Sequence, residues 1–168
     1  MKWGCYPRKT SISRTLRPDV PWQYKIADSY SGTYLNTTIK QGEQSYPDHK
    51  IVLKYNGSSN KLTIGNVCAY SLAQGLDYTK DNNVNYIVGD VDIEAKTVSF
   101  PVTSSGIDAH LASGTALMPF ELKDDSIYSG KEFIWTFNED ATEISFPIFG
   151  LVSGTSIKQS YDAGTFKA

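Results

Sequence analysis

Two histidines, His49 and His110, are all that 168 residues offer to a Ser–His–Asp or Cys–His set. Such chemistry needs an imidazole beside a nucleophile and an orienting group. His49 follows Pro47-Asp48 at the head of an alternating stretch, and His110 sits where no periodicity is visible. No G-x-S-x-G elbow is present, so both read as polar surface histidines. Of the two cysteines, Cys5 lies in a basic stretch near the start and Cys68 reads as a small buried hydrophobe. Together they make no disulfide framework.

Zinc motifs of the C-x-x-C or H-E-x-x-H kind are absent. Asp77, Asp81, Asn82 and Asn83, with Asp90 and Asp92, offer oxygens of the sort calcium accepts, but not at EF-hand spacing. Asp90 and Asp92 would share one face of a strand, roughly 6–7 Å apart, within the range of a glycosidase pair. The polar outside of a hairpin explains them equally well and is the default. Asp124 and Asp125 are a pair only by sequence. Phosphate-cradling glycine loops are missing too. No catalytic residue, metal ligand or cofactor is assigned.

Aromatic side chains remain. The eleven tyrosines exceed what a core requires, and a tyrosine can expose ring and hydroxyl together for stacking on sugars or packing on a protein. Trp22, Tyr24 and Tyr78, near loops or the start of the ordered region, are the candidates for a ligand-facing patch. Phe133, Trp135 and Phe137 alternate strictly and belong to the core.

The elements that must position these residues are strands. Ser31–Gln41 reads as the first, and residues 42–48 as a loop. Lys50–Tyr55 and Lys61–Val67 form a hairpin across the Asn-Gly-Ser-Ser-Asn turn at 56–60. Asn85–Ile93 and Thr97–Thr103 form a second, with Ile87, Val91 and Ile93 facing one way and Val98, Phe100 and Val102 answering. Lys131–Asn138 and Glu143–Ile148 form a third. Leu117–Phe120 reads as a strand near a sheet edge because of Pro119. Gly150–Gly154 reads as a loop, and Tyr161–Lys167 as the closing strand. Residues 68–83 and 106–116 have no clear period.

About eight strands joined by short turns, with no helix long enough for a parallel crossover, imply an all-β antiparallel up-and-down meander. Such a meander protects its edges by closing into a barrel, the first choice, or by pairing sheets as a β-sandwich. Residues 24–168 form the single barrel-like domain. Residues 1–23 read as a basic, proline-containing tail or linker, broken by Pro7, Pro18 and Pro21.

Charge is uneven. Residues 1–25 carry a net +5 and the rest −7, for a total of −2. The acidic body argues against nucleic-acid binding. No run of apolar residues is long enough for a transmembrane segment, and no apolar h-region follows Met1-Lys2, which taken literally makes the chain cytoplasmic.

One resemblance bears on these expectations. Tyr-Ser-Gly-Thr-Tyr at 30–34, Asn-Lys-Leu-Thr-Ile at 60–64, Val-Gly-Asp-Val-Asp at 88–92, Ala-Lys-Thr-Val-Ser-Phe-Pro at 95–101 and Phe-Ile-Trp-Thr-Phe-Asn-Glu-Asp at 133–140 follow one another in a set rhythm. The rhythm resembles that of the small lipocalin- or calycin-like β domains of secreted proteins and outer-membrane lipoproteins of Bacteroidetes. The resemblance covers about residues 28–168 and implies a closed or partly closed calycin-like barrel. It further implies an exported, non-catalytic cell-envelope domain, in the periplasm or on the outer-membrane surface. The chain departs from that pattern in lacking the lipoprotein signal.

Three functions compete: an accessory module binding a glycan or partner protein, a carrier of a small apolar ligand, and a small barrel enzyme. The bulky inward residues Phe100, Phe133, Trp135 and Phe146 favour a filled barrel and the first reading.

Overall fold

A computed structural model describes residues 20–37, 44–68, 85–107, 111, 116–119, 132–154 and 156–168. Among the described residues a 3₁₀ turn, η1 (Trp22–Lys25), precedes thirteen strands. They are β1 (Ser29–Asn36), β2 (Gln44–Asn56), β3 (Lys61–Gly65), β4 (Tyr86–Asp92), β5 (Thr97–Phe100), β6 (Val102–Thr103) and β7 (Gly106–Ile107). The remaining six are β8 (Ala116–Pro119), β9 (Phe133–Phe137), β10 (Glu143–Phe146), β11 (Phe149–Ser153), β12 (Ser156–Tyr161) and β13 (Gly164–Lys167).

Eight of these close a barrel in the order β1-β13-β10-β9-β5-β4-β3-β2, every pair antiparallel. Read around the ring, the chain order is preserved, so the expected meander is present and closed. The sandwich alternative gives way to it. The meander is interrupted twice, after β5 and after β10, by excursions into a second antiparallel sheet ordered β12-β11-β8-β7-β6.

The three hairpins form as their patterns dictate. Inward positions Ile51, Leu53, Leu62, Ile64, Ile87, Val91, Val98, Phe133, Trp135, Phe137, Ile144 and Phe146 are all buried. The turns are built from local side chains. Asn56 Oδ1 accepts the N–H groups of Ser58 and Ser59, Asp92 Oδ1 that of Ala95, and Asn138 Oδ1 that of Glu143. Each turn contains one left-handed residue, Asn60, Lys96 or Ala141, with φ of 55 to 59°. Of these only Asn favours that conformation intrinsically; the turn and ladder bonds impose it on the other two.

All three tight turns lie at one end of the barrel. At the opposite end the chain leaves the ring for long connections and the second sheet. The turn end is covered by η1, whose Trp22 packs edge-on against Phe137 with ring centroids 5.4 Å apart. Trp22 Nε1 also donates to Asn138 O at 3.4 Å, and the Tyr30 hydroxyl donates to Ala141 O.

Between the ends the interior is filled with rings. Trp135 lies 5.1 Å from Phe146, Phe146 lies 5.1 Å from Phe166, and Tyr34 lies 4.9 Å from Phe166. Phe149 of β11 reaches in from the second sheet to Phe133 at 5.6 Å, and its cross-strand partner Tyr161 of β12 reaches Tyr34 at 4.3 Å. Two inward glycines make room for this bulk. A Cβ on Gly32 would stand 2.2 Å from Phe166 Cδ1, and one on Gly89 would stand 2.6 Å from Ser99 O and 2.7 Å from Val98 Cγ2. Large and small positions thus alternate across the barrel wall.

Several local expectations are corrected. Residues 44–48 are strand, not loop: β2 pairs Tyr46 with Tyr34 and His49 with Gly32, leaving Pro47 and Asp48 opposite Thr33 as a bulge. Asp48 takes φ 56° there, and Pro47 loses nothing because a bulge leaves a residue outside the ladder. Phe149–Ser153 is strand rather than loop, with Phe149 through Val152 all buried, so no alternation marks it. The closing segment is two strands, β12 and β13, in different sheets. β8 lies between β7 and β11 rather than at an edge, with Pro119 at its end. Ile93 falls in a turn and is 36% exposed, and Val102 and Ile148 are only half-buried.

Replacing Gly89 by alanine is expected to destabilise the fold by about 1–3 kcal/mol, the cost of overpacking against a backbone carbonyl that cannot move away. Urea unfolding of Gly89→Ala beside the wild type checks this; an unchanged midpoint would contradict the packed interior.

Candidate functional site

The two ends of the barrel carry different chemistry. At the long-connection end, β3 and β4 are fastened by two buried asparagines, Asn66 and Asn85, with φ of 59° and 64°. Asn85 Nδ2 donates to Asn66 Oδ1 at 3.1 Å and to Cys68 O at 3.0 Å, while Asn85 Oδ1 accepts Cys68 N–H at 2.9 Å. Asn66 Nδ2 donates to Lys50 O at 2.6 Å, and the Tyr34 hydroxyl donates to Val67 O at 2.7 Å. Short amide side chains tolerate the left-handed backbone and can meet peptide groups in both directions, which is why Asn occupies both positions.

His49 completes this clasp and corrects its reading as a surface residue. It is 3% exposed, and its Nε2 lies 2.7 Å from Asn66 O. A carbonyl only accepts, so Nε2 carries the proton. The ring lies 4.7 Å from that of Tyr34, tilted 43° to it. Burial lowers the His49 pKa, with the hydrogen bond to Asn66 working in the opposite direction. The bulge at Pro47-Asp48 turns this side chain inward. Its role is structural, as is that of Cys68, a buried thiol whose pKa is pushed far up by desolvation.

The carboxylates singled out in the sequence are on the outside. Asp90 pairs with Lys61 across the β3–β4 ladder, both side chains being roughly half-exposed, and Asp92 caps its turn. An ion pair this exposed contributes at most about 1 kcal/mol. Among the described residues no group of three or more His, Cys, Asp or Glu side chains is placed to hold a metal ion. No described helix is long and apolar enough to cross a membrane.

Of the aromatic candidates, Trp22 and Tyr24 share η1 but not a surface. The Trp22 ring is 8% exposed and faces Phe137, whereas Tyr24 is 61% exposed. Tyr24 meets Tyr55 edge-to-face at 5.7 Å, and the Tyr55 hydroxyl is itself held by Asn60 Oδ1 at 2.6 Å. The Tyr24 hydroxyl lies 2.8 Å from where a Cβ of Gly57 would stand. The result is an exposed ring at the turn end, braced by Tyr55 and by a turn whose glycine leaves it room. Tyr78, His110, Asp77, Asp81, Asn82, Asn83, Asp124, Asp125 and Cys5 lie outside the described residues, as do residues 1–19.

Sequence reasoning missed Tyr55 as the partner of Tyr24. Tyr55 is the last residue but one of β2, half-buried at the rim of the barrel. Sequence reasoning also missed Asn36, Ser160 and Asp162, buried or half-buried polar residues at the far end.

No protein-family model matches the chain, and neither curated proteins nor solved structures contain a match.

The lowered His49 pKa sets a pH dependence. The unfolded chain takes up a proton near the ordinary value of 6.5 while the folded protein does not, so stability falls as pH drops from about 6.5 toward the lower folded value. Urea midpoints measured between pH 7.5 and 5 should decline, and His49→Gln should flatten that part of the curve; equal slopes would remove His49 from the account.

Proposed function

We propose that the chain is a non-catalytic binding module that recognises a glycan through the turn end of the barrel, with Tyr24 as its stacking platform. The observation that carries this reading is a ring 61% exposed yet held in place by Tyr55. An aromatic face fixed before binding loses little entropy when a sugar ring stacks on it. Lys25, which is exposed, follows directly and adds a cation at the rim.

Supporting a non-catalytic role, the residues with chemical potential that the structure describes are engaged elsewhere. His49 and Cys68 belong to the buried clasp, Asp90 is paired with Lys61, and Asp92 caps a turn. The ring-filled interior weighs against carriage of a small apolar ligand, since Trp135, Phe133, Phe149 and Phe166 occupy the space such a ligand would need. The lipocalin-like strand rhythm, with its implication of an exported envelope domain, supports placing this module where surface polysaccharides are met.

The test is binding of the folded chain to immobilised polysaccharides and peptidoglycan, with two variants. Tyr24→Ala should reduce binding about tenfold or more while costing about 0.5–1.5 kcal/mol of stability, the worth of one exposed aromatic pair. Trp22→Ala should instead cost about 3–5 kcal/mol of stability, as for a buried ring. Wild-type protein that binds none of the panel, or Tyr24→Ala that binds as well as wild type, would overturn the proposal.

A further inference from the structure

Asn56 is the one asparagine of the chain that a glycine follows. It ends β2, opposite Lys61 of β3, and Asn56, Gly57, Ser58 and Ser59 are all exposed. The turn they open is tied together through the Asn56 side chain. Its Oδ1 accepts the Ser58 N–H at 2.9 Å and the Ser59 N–H at 3.3 Å. These bonds order the turn. They also set the carboxamide carbonyl against two donors, with the Gly57 nitrogen next along the chain and water in reach.

A carbonyl with a nucleophile beside it and donors aimed at its oxygen is arranged to stabilise a tetrahedral intermediate. Attack of Gly57 N on Asn56 Cγ closes a succinimide ring and moves negative charge onto Oδ1. The Ser58 and Ser59 amides already point there. Glycine permits the closure best, because it has no Cβ to shield its nitrogen and the widest range of backbone angles. The same lack of a Cβ leaves room for the Tyr24 hydroxyl, 2.8 Å from where that atom would stand. The residue that seats Tyr24 is thus the one that leaves Asn56 open to attack.

The other described asparagines lack one part or another of this arrangement. Asn36, Asn66 and Asn85 are buried. Asn60 Oδ1 accepts the Tyr55 hydroxyl, and its Nδ2 donates to Val91 O. Asn138 comes closest, its Oδ1 accepting the Glu143 N–H at 3.0 Å, but Glu139 follows it in place of glycine.

We infer that Asn56 is a self-modification site, where the folded turn converts the asparagine to aspartate and isoaspartate without an enzyme. The Gly57 N–H proton goes to hydroxide, and Gly57 N bonds to Asn56 Cγ. The Cγ–Nδ2 bond breaks as Nδ2 takes a proton from water and leaves as ammonia. One further water opens the succinimide at either carbonyl, and no group is oxidised or reduced. Both products add a negative charge, and isoaspartate adds a methylene to the backbone beneath Tyr24. The reaction itself does not depend on the glycan reading.

The intact chain is incubated in warm, mildly alkaline buffer, sampled over weeks and digested. Mass spectrometry with electron-transfer fragmentation then separates isoaspartate from aspartate. Asn56 should convert to both, while Asn138 stays unchanged. Gly57→Ala should slow the conversion about fivefold or more, through the lost backbone freedom. A parallel incubation in guanidinium chloride isolates the contribution of the turn. Only the folded chain aims the two N–H groups, so it should convert Asn56 at least as fast as the unfolded one. Conversion that is faster in guanidinium would overturn the inference, since the turn would then be a shield. Aspartate without isoaspartate would also overturn it, as the mark of direct hydrolysis with no ring closed. So would a Gly57→Ala chain that converts at the wild-type rate.

Discussion

Phe149 is the contact on which the two sheets depend to form one core. It belongs to the second sheet, yet its ring meets Tyr34, Phe133, Trp135 and Phe146 of the barrel. A closed eight-stranded ring has room for little more than its own side chains. Here the wall supplies most of them, and the second sheet supplies two rings, Phe149 and Tyr161, at the end left without tight turns. Each such ring removed from water contributes about 1.5–3 kcal/mol, and none of them can shift without displacing its neighbours. Trp135 shows how strongly packing dominates: its indole N–H is buried without an acceptor, a cost the surrounding Phe100, Phe133, Phe146 and Phe149 contacts outweigh.

That arrangement divides the molecule into two ends with different physical character. One is built from turns of four or five residues that satisfy themselves with Asn and Asp side chains, and η1 sits over it. The other is where β1, β3, β5 and β10 finish and the chain departs. Polar groups that cannot be met by a tight turn accumulate there. The clasp of His49, Asn66 and Asn85 meets peptide groups of β2, β3 and the segments beyond, and Asn36 with Ser160 and Asp162 does so only in part.

The three hairpins were legible because both signals coincided: strict alternation, as in Phe133, Trp135 and Phe137, and turn residues at the reversal. β11 was not, because Phe149–Val152 is buried on both faces, and burial on both faces erases the period of two on which the reading depends. The Gly150 and Gly154 that flank or interrupt it then resembled loop punctuation. His49 was misread for a related reason. Pro47 and Asp48 look like the end of a loop, and only pairing with β1 makes them a bulge that turns the next side chain inward. Tyr24 was legible as an exposed aromatic near the domain start. Asn36 and Asp162 were not, since a lone Asn or Asp in a polar stretch carries no mark of the burial imposed by strands distant in sequence.

The Asn66–Asn85 clasp also fixes how the chain between its halves relates to the rest. Backbone and side-chain bonds hold Cys68 and Asn85 together irrespective of what joins them. The closing entropy of a connection rises only with the logarithm of its length, so with both ends pinned the number of residues between Cys68 and Asn85 weighs little on the stability of the barrel. Lengthening or shortening the sequence between those two points therefore carries a small entropic cost to the barrel.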